Sequence, residues 1–288
     1  MRENDININL ASPRDVVALL ETNEISPNKK LGQNFLIDRN ILNLIVDSAA
    51  LSGTEHVLEI GAGLGVLTEQ LLEKAAHVTA IEKDSGLYTL LNRRWGNNPK
   101  LTLLHADALE ADLNALIENG ITKLVSNLPY SVGVRIVIDV ASSATPPDTM
   151  VVLLQKEVGE RFVAKPGTND MGIVSVILQQ LYDVKIIRNV KPSCFYPKPE
   201  VTSVIIRMNR HERFPLTLGK RQNLQKLVQE AFQQRRKQIV SSMRGAGNNV
   251  ARDADFIRSS LEKCGISATS RPEELSVEQW VKLSEIWF

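Results

Sequence analysis

Val57-Leu58-Glu59-Ile60-Gly61-Ala62-Gly63-Leu64-Gly65 is the stretch that decides the fold. A short apolar run enters a turn of three glycines, and Leu64 to Ala75 continues with apolar residues at helical spacing. A strand that leaves its turn as a helix presents free N–H groups at the helix start, and the glycines let a ligand approach the backbone. Working outward, the same rhythm repeats. His56–Ile60, His77–Ile81, Leu101–His105, Lys123–Ser126 and Met150–Leu154 read as strands. Leu64–Ala75, Ser85–Trp95, Leu113–Glu118 and Val132–Ser142 read as helices between them, and Asp38–Ala50 as a helix before them. This alternation predicts an α/β domain with a largely parallel sheet and helices on both faces.

After Leu154 the rhythm changes. Leu181–Val190 and Val201–Met208 are β-rich runs separated by Pro192, Pro197 and Pro199, which suits two late strands closing one edge in antiparallel fashion. From Lys220 onward the pattern is helical only, with Leu224, Leu227, Val228, Ala231 and Phe232 at i, i+3, i+4 spacing. Further helices are expected over Asp253–Cys264 and Ser276–Trp287. Charge and proline interrupt the pattern at His211 to Pro215. The expected organisation is therefore an N-terminal extension over 1–30, an α/β domain over 31–210 and a small all-helical domain over 211–288. Within the extension, Ser12-Pro13 has the form of a helix start, and Ser26 to Asn34 is a polar loop.

The 288 residues hold no apolar run of membrane-spanning length, and Glu3 and Asp5 stand where a signal peptide would be apolar, so a cytoplasmic location is expected. Cys194 and Cys264 are far apart and without metal-ligand spacing, which suits reduced thiols. His56, His77, His105 and His211 form neither a catalytic nor a metal-ligand pattern, so no metal is expected. A net charge of +1 does not itself indicate nucleic acid. Its distribution is more telling: Arg210 to Val250 holds nine Lys or Arg against two acids, Glu212 and Glu230.

Chemistry-bearing residues stand at the strand ends, where open α/β sheets bind ligands. Asn127-Leu128-Pro129-Tyr130 follows the fourth of these strands. Its proline stiffens the turn, holding an amide acceptor and an aromatic ring in place for a planar base that bears an amino group. Glu82 ends the second strand, where a carboxylate accepts ribose hydroxyls, and Asp107 ends the third, within reach of an adenine amino group. A dinucleotide fold has the same outline, so the glycines alone do not decide the ligand. The spacing is Gly-x-Gly-x-Gly with Glu59 just before it. An acid there suits the cationic cofactor S-adenosylmethionine better than a pyrophosphate.

Leu31-Gly32-Gln33-Asn34-Phe35-Leu36-Ile37-Asp38, the glycine turn, Glu82, Asp107 and Asn127-Leu128-Pro129-Tyr130 together resemble the rRNA adenine N6-dimethyltransferases. The resemblance continues through Gln155-Lys156-Glu157, Pro192-Ser193-Cys194-Phe195-Tyr196-Pro197-Lys198-Pro199-Glu200-Val201, Arg235-Arg236-Lys237 and Arg271-Pro272-Glu273-Glu274-Leu275-Ser276. It covers the chain from about Lys30 to its end and is closer to the bacterial small-subunit (16S) branch than to the large-subunit branch. It implies a Rossmann-like class I methyltransferase domain with a small helical C-terminal domain. It further implies S-adenosylmethionine as donor and, as substrate, two adjacent adenosines near the 3′ end of small-subunit rRNA. The partner so implied is an immature small ribosomal subunit, and a monomer is expected.

By motif position, Asn34, Leu36, Gly61, Gly63, Glu82, Asp107 and Asn127 resemble cofactor-contacting residues, and Asn127, Leu128, Pro129 and Tyr130 the catalytic motif. Phe195 matches an aromatic that flanks the target base, while Arg235, Arg236 and Lys237 match a phosphate-contacting cluster, with Lys29, Lys30 and Arg39 extending the basic face. The sequence departs from the family pattern at Met171, where tyrosine is usual, and at Gly133-Val134-Arg135. The competing readings are another nucleic-acid methyltransferase, a factor that mainly occupies immature subunits, and an NAD enzyme. The last lacks an evident hydride-transfer residue.

Overall fold

The computed structural model describes residues 10, 12–28, 32–244 and 253–288; Lys29, Lys30 and Leu31 lie outside them. Their contacts divide the chain into two compact units, Met1–Gly159 with Lys185–Asn209 and Glu160–Val184 with Arg210–Phe288.

The first unit is built on a seven-stranded sheet. Its strands are β2 (His56–Ile60), β3 (His77–Glu82), β4 (Leu101–His105), β5 (Lys123–Asn127), β6 (Thr149–Gln155), β7 (Tyr182–Val190) and β9 (Ser203–Arg210), in the order β4-β3-β2-β5-β6-β9-β7. The pairs β2–β3, β3–β4, β2–β5 and β5–β6 are parallel, and β9 runs antiparallel to β6, as the β-rich runs after Leu154 led one to expect. Val57, Leu58, Val78, Ala80, Leu124, Val125 and the run from Met150 to Leu154 are buried, which is why these strands read as continuous apolar runs. A separate two-residue pair joins β1 (Phe35–Leu36) to β8 (Phe195–Tyr196), with Leu36 opposite Phe195.

The helices begin where the sequence offers caps. Ser12 accepts the N–H of Asp15 ahead of α1 (Pro13–Thr22), and Asp38 accepts those of Asn40 and Ile41 ahead of α2 (Arg39–Ser48). Helix α3 (Val66–Lys74) instead starts from Gly65 at φ +81°. A Cβ there would lie 2.2 Å from the Trp95 ring, so both the backbone angle and the packing of α4 (Ser85–Trp95) require glycine. Helices α5 (Leu113–Glu118) and α6 (Gly133–Ala141) complete the layers before α7 (Lys156–Phe162).

The second unit is helical: α8 (Ile173–Gln179), α9 (Leu218–Phe232), α10 (Ile239–Arg244), α11 (Ala254–Lys263) and α12 (Val277–Trp287). Leu224, Leu227, Val228 and Ala231 of α9 join Trp280 and Trp287 of α12 in one apolar cluster. A single cut at 210/211 does not describe this division, because Val176 of α8 and Met171 belong to that same cluster. Among the described residues no helix is long and apolar enough to cross a membrane.

Strands β2 and β5 are where the strand order reverses. Their ladder holds at Val57↔Lys123 and Leu58↔Leu124. Beyond it the buried Ser126 hydroxyl bridges the gap, donating to the Ile60 carbonyl (2.5 Å) and accepting its N–H (3.3 Å). Ser126→Ala strands both buried backbone groups of Ile60 and is expected to cost about 2–4 kcal/mol of unfolding free energy. Denaturant unfolding monitored by tryptophan fluorescence checks it.

Candidate active site

The carboxyl ends of β2, β3, β4 and β5 surround a cavity of about 250 Å³ within the first unit. It is a crevice at a topological switch point, the ligand position of open α/β sheets. Gly61, Gly63 and Gly65 all have positive φ, between +60° and +81°, so the turn after β2 curls its backbone around the cavity. The Phe35 ring covers this turn: a Cβ on Gly63 would stand 3.4 Å from it.

Two carboxylates shape the floor. Glu82 is buried and braces the turn, its Oε2 accepting the Gly63 N–H and its Oε1 the Asp84 N–H, each at 2.8 Å. Burial raises the Glu82 pKa, and these two backbone donors work against the rise. Glu59, also buried, accepts the Thr68 hydroxyl at 2.6 Å. Burial pushes Glu59 up to about 8; the Thr68 bond opposes this and the charge of Glu82 adds to it. At the rim, Asp107 is held ionised by Lys83 Nζ at 2.5 Å, with the Leu109 N–H on its other oxygen, and its pKa is lowered.

On the facing wall the backbone turns at Pro129, whose ring a Cβ on Gly61 would meet at 3.4 Å. The Asn127 amide nitrogen donates to the Asn34 carbonyl (3.3 Å), and Asn34 in turn donates to the Gly32 carbonyl (3.0 Å). This fixes the amide so that Asn127 Oδ1 is left as an acceptor. Neither Oδ1 nor the Leu128 carbonyl has a hydrogen-bond partner among the described residues. The Tyr130 hydroxyl shares a 2.6 Å hydrogen bond with Ser203 Oγ, which anchors the ring while burial raises its pKa.

Asn34, Leu36, Gly61, Gly63, Glu82, Asp107, Asn127, Leu128, Pro129 and Tyr130 all line this one cavity. Phe195 does not. It is only 3% exposed, in the core beside Leu36, so the stacking position expected from its motif is not the one it occupies. Arg235, Arg236 and Lys237 belong to the second unit and follow α9. Arg235 donates to the Asn169 carbonyl, whereas Arg236 and Lys237 are exposed. Met171 is fully buried in the helical cluster. A Cβ on Gly133 would lie 2.6 Å from the Leu154 side chain. The sequence reading passed over Phe35, Lys83 and Ser126, since an aromatic, a lysine and a serine beside a motif carry no periodic signal of their own.

Residues 25–287 match the family model described as ribosomal RNA adenine dimethylase. The chain belongs to that family. Among relatives, it is 38% identical over 259 residues to a Clostridium acetobutylicum protein named ribosomal RNA small subunit methyltransferase A, covering 90% of this chain and 92% of that protein. It is 34% identical over 282 residues to a protein of the same name from Lachnoclostridium phytofermentans, covering 96% and 97%. The fold is shared with a Plasmodium falciparum dimethyladenosine transferase, with a TM-score of 0.73, 23% identity, 86% of this chain and 95% of the other. It is also shared with the 23S rRNA methyltransferase ErmE, with a TM-score of 0.65, 24% identity, 88% of this chain and 99% of the other. The chain is thus an S-adenosylmethionine-dependent rRNA adenine dimethyltransferase with a Rossmann-like class I fold. The cavity fits that cofactor: each Glu82 oxygen spends one lone pair on a backbone N–H and keeps another for a ribose hydroxyl.

Glu59 gives the fold a pH dependence. Its folded-state pKa lies above the ordinary 4.5, so its contribution to stability is complete below about 4.5 and is lost as pH rises through about 8. Glu59→Gln is expected to flatten that decline; thermal unfolding of both proteins from pH 5 to 9 checks it, and parallel curves would contradict it.

Proposed function

We propose that the chain transfers methyl groups to N6 of two adjacent adenosines near the 3′ end of small-subunit rRNA, within immature small ribosomal subunits. Relatives that match nearly end to end and carry a small-subunit name support the choice of RNA. The observation that carries the chemistry is the pair of unpartnered acceptors, Asn127 Oδ1 and the Leu128 carbonyl, on the turn that walls the cavity.

The N6 lone pair of adenine is delocalised into its ring, so the amine is a poor nucleophile. Asn127 Oδ1 and the Leu128 carbonyl accept its two hydrogens, which draws the nitrogen toward sp³ and frees the lone pair. S-adenosylmethionine supplies an electrophilic methyl group. The residues around it then act by proximity and orientation, which need no strong base, because the alkylated ammonium is acidic enough to lose its proton. Tyr130, held by Ser203, offers its ring to the extruded base. Phe195 acts indirectly, its strand pairing with Leu36 and so steadying the segment that carries Asn34. Asn34, Leu36, Gly61, Gly63, Glu82 and Asp107 hold the cofactor, and exposed Arg236 and Lys237 contact phosphate, with Arg235 partly engaged within its own unit.

The test is methyl transfer from labelled S-adenosylmethionine with undermethylated small subunits, large-subunit rRNA and duplex DNA in competition, followed by mass analysis of the nucleosides. Label is expected in N6,N6-dimethyladenosine from the small subunits. Preferential labelling of large-subunit rRNA or DNA would overturn the assignment.

A further inference from the structure

Ion pairs hold several cations of the first unit. Lys74 pairs with Asp47, Lys83 with Asp107, Arg94 with Glu69, Lys123 with Glu55 and Arg135 with Asp139. Residues 184–199 hold four cations, Lys185, Arg188, Lys191 and Lys198, and no aspartate or glutamate. All four side chains are exposed, and none has an ion pair or side-chain hydrogen bond among the described residues. Lys185 and Arg188 stand on β7, one of the two edge strands of the sheet. Lys191 and Lys198 bracket β8.

Lysine on an edge strand commonly serves to block pairing with another sheet. That role accounts for Lys185 and Arg188 but not for Lys191 and Lys198, which lie beyond the strand. Two contacts tie this run to the cavity. Phe195 pairs with Leu36, and Ile37 donates to the Cys194 carbonyl at 2.9 Å, so the turn between Lys191 and Lys198 is fastened to the segment carrying Asn34 and Leu36. Ser203, at the start of β9, holds the Tyr130 hydroxyl. Cations without ion pairs among the described residues thus extend along an edge strand, about 17 Å from Lys185 to Val190, and on to the turn fastened to the segment that carries Asn34 and Leu36.

We propose that Lys185, Arg188, Lys191 and Lys198 form a second RNA-contact surface, which grips phosphates of the single-stranded segment leading to the target base. It rests on RNA being the substrate and is distinct from Arg235-Arg236-Lys237. Such contacts position the strand and carry no sequence information. They release counterions on binding, so their number is read from the salt dependence of affinity.

The experiment compares the full chain with K185Q/R188Q/K191Q/K198Q and with the charge-retaining K185R/K191R/K198R. Binding to poly(A) and to undermethylated small subunits is measured across a salt series, with S-adenosylmethionine affinity and thermal unfolding as controls. The glutamine variant is expected to lose about 2–3 from the slope of log K against log salt on poly(A), at about 0.7 per phosphate contact. It should also bind the subunits at least about tenfold more weakly, with a raised KM and an unchanged cofactor affinity, and the arginine variant should restore binding. An unchanged slope on poly(A) overturns the proposal. A loss of subunit binding with an unchanged poly(A) slope also overturns it, in favour of a contact with ribosomal protein. The poly(A) result does not depend on which rRNA is methylated, so the failure of the small-subunit assignment is read separately, from methyl transfer.

Discussion

The parting of β2 from β5 is the constraint on which the site depends. Two strands that begin as a hydrogen-bonded parallel pair lose their ladder after Leu58 and Leu124, and the Ser126 hydroxyl takes over at Ile60. On the other side of β2 the ladder with β3 runs on to Ile60↔Ile81. The chain therefore opens on one side only. Into that opening the glycine turn curls from β2, and Asn127 to Tyr130 emerge from β5. In the proposed reading the donor-binding and acceptor-binding halves of the site are carried by the ends of two neighbouring strands.

Burial then dictates the electrostatics. The crevice is sealed by apolar strands, so the carboxyl groups inside it carry a desolvation penalty and respond differently. Glu82 is offset by two backbone N–H donors and thereby rigidifies the turn. Glu59 has the Thr68 hydroxyl and is pushed toward its neutral form. Asp107, at the rim, is kept ionised by Lys83. Opposite them, acceptors are left deliberately unpaired by geometry: the Asn127 amide spends its donor on the Asn34 carbonyl and keeps its oxygen for a ligand. An amine with two hydrogens and a reluctant lone pair is the substrate such a pair suits.

Much of this was legible in the sequence, because it rests on local signals. Buried parallel strands are apolar throughout, so β2, β3, β5 and β6 were readable to within a residue or two. Ser12-Pro13 marked one helix start by its chemistry, and the helices expected from Asp38 and from Ser276 begin at those residues, whose side chains cap them. What was not legible depends on long-range contact. Helices α7 and α8 have seven residues each, too few to display a period, and the attachment of 160–184 to the helical unit is decided by Val176 meeting α9. The β1–β8 pair spans two residues on each side. Phe195 illustrates the limit well: a motif located the aromatic, but only packing shows that it faces the core beside Leu36. That Lys185, Arg188, Lys191 and Lys198 have no ion pair among the described residues is likewise visible only in three dimensions.

In the proposed mechanism the turn after β5 works by accepting hydrogens from the amine. The most direct measurement is single-turnover methyl transfer by Asn127→Ala, alongside its equilibrium affinity for S-adenosylmethionine. The expected rate is lowered by about 10²–10³-fold, as for removal of one preorganised polar group at a reacting centre, with cofactor affinity nearly unchanged. A rate equal to that of the native chain would contradict it.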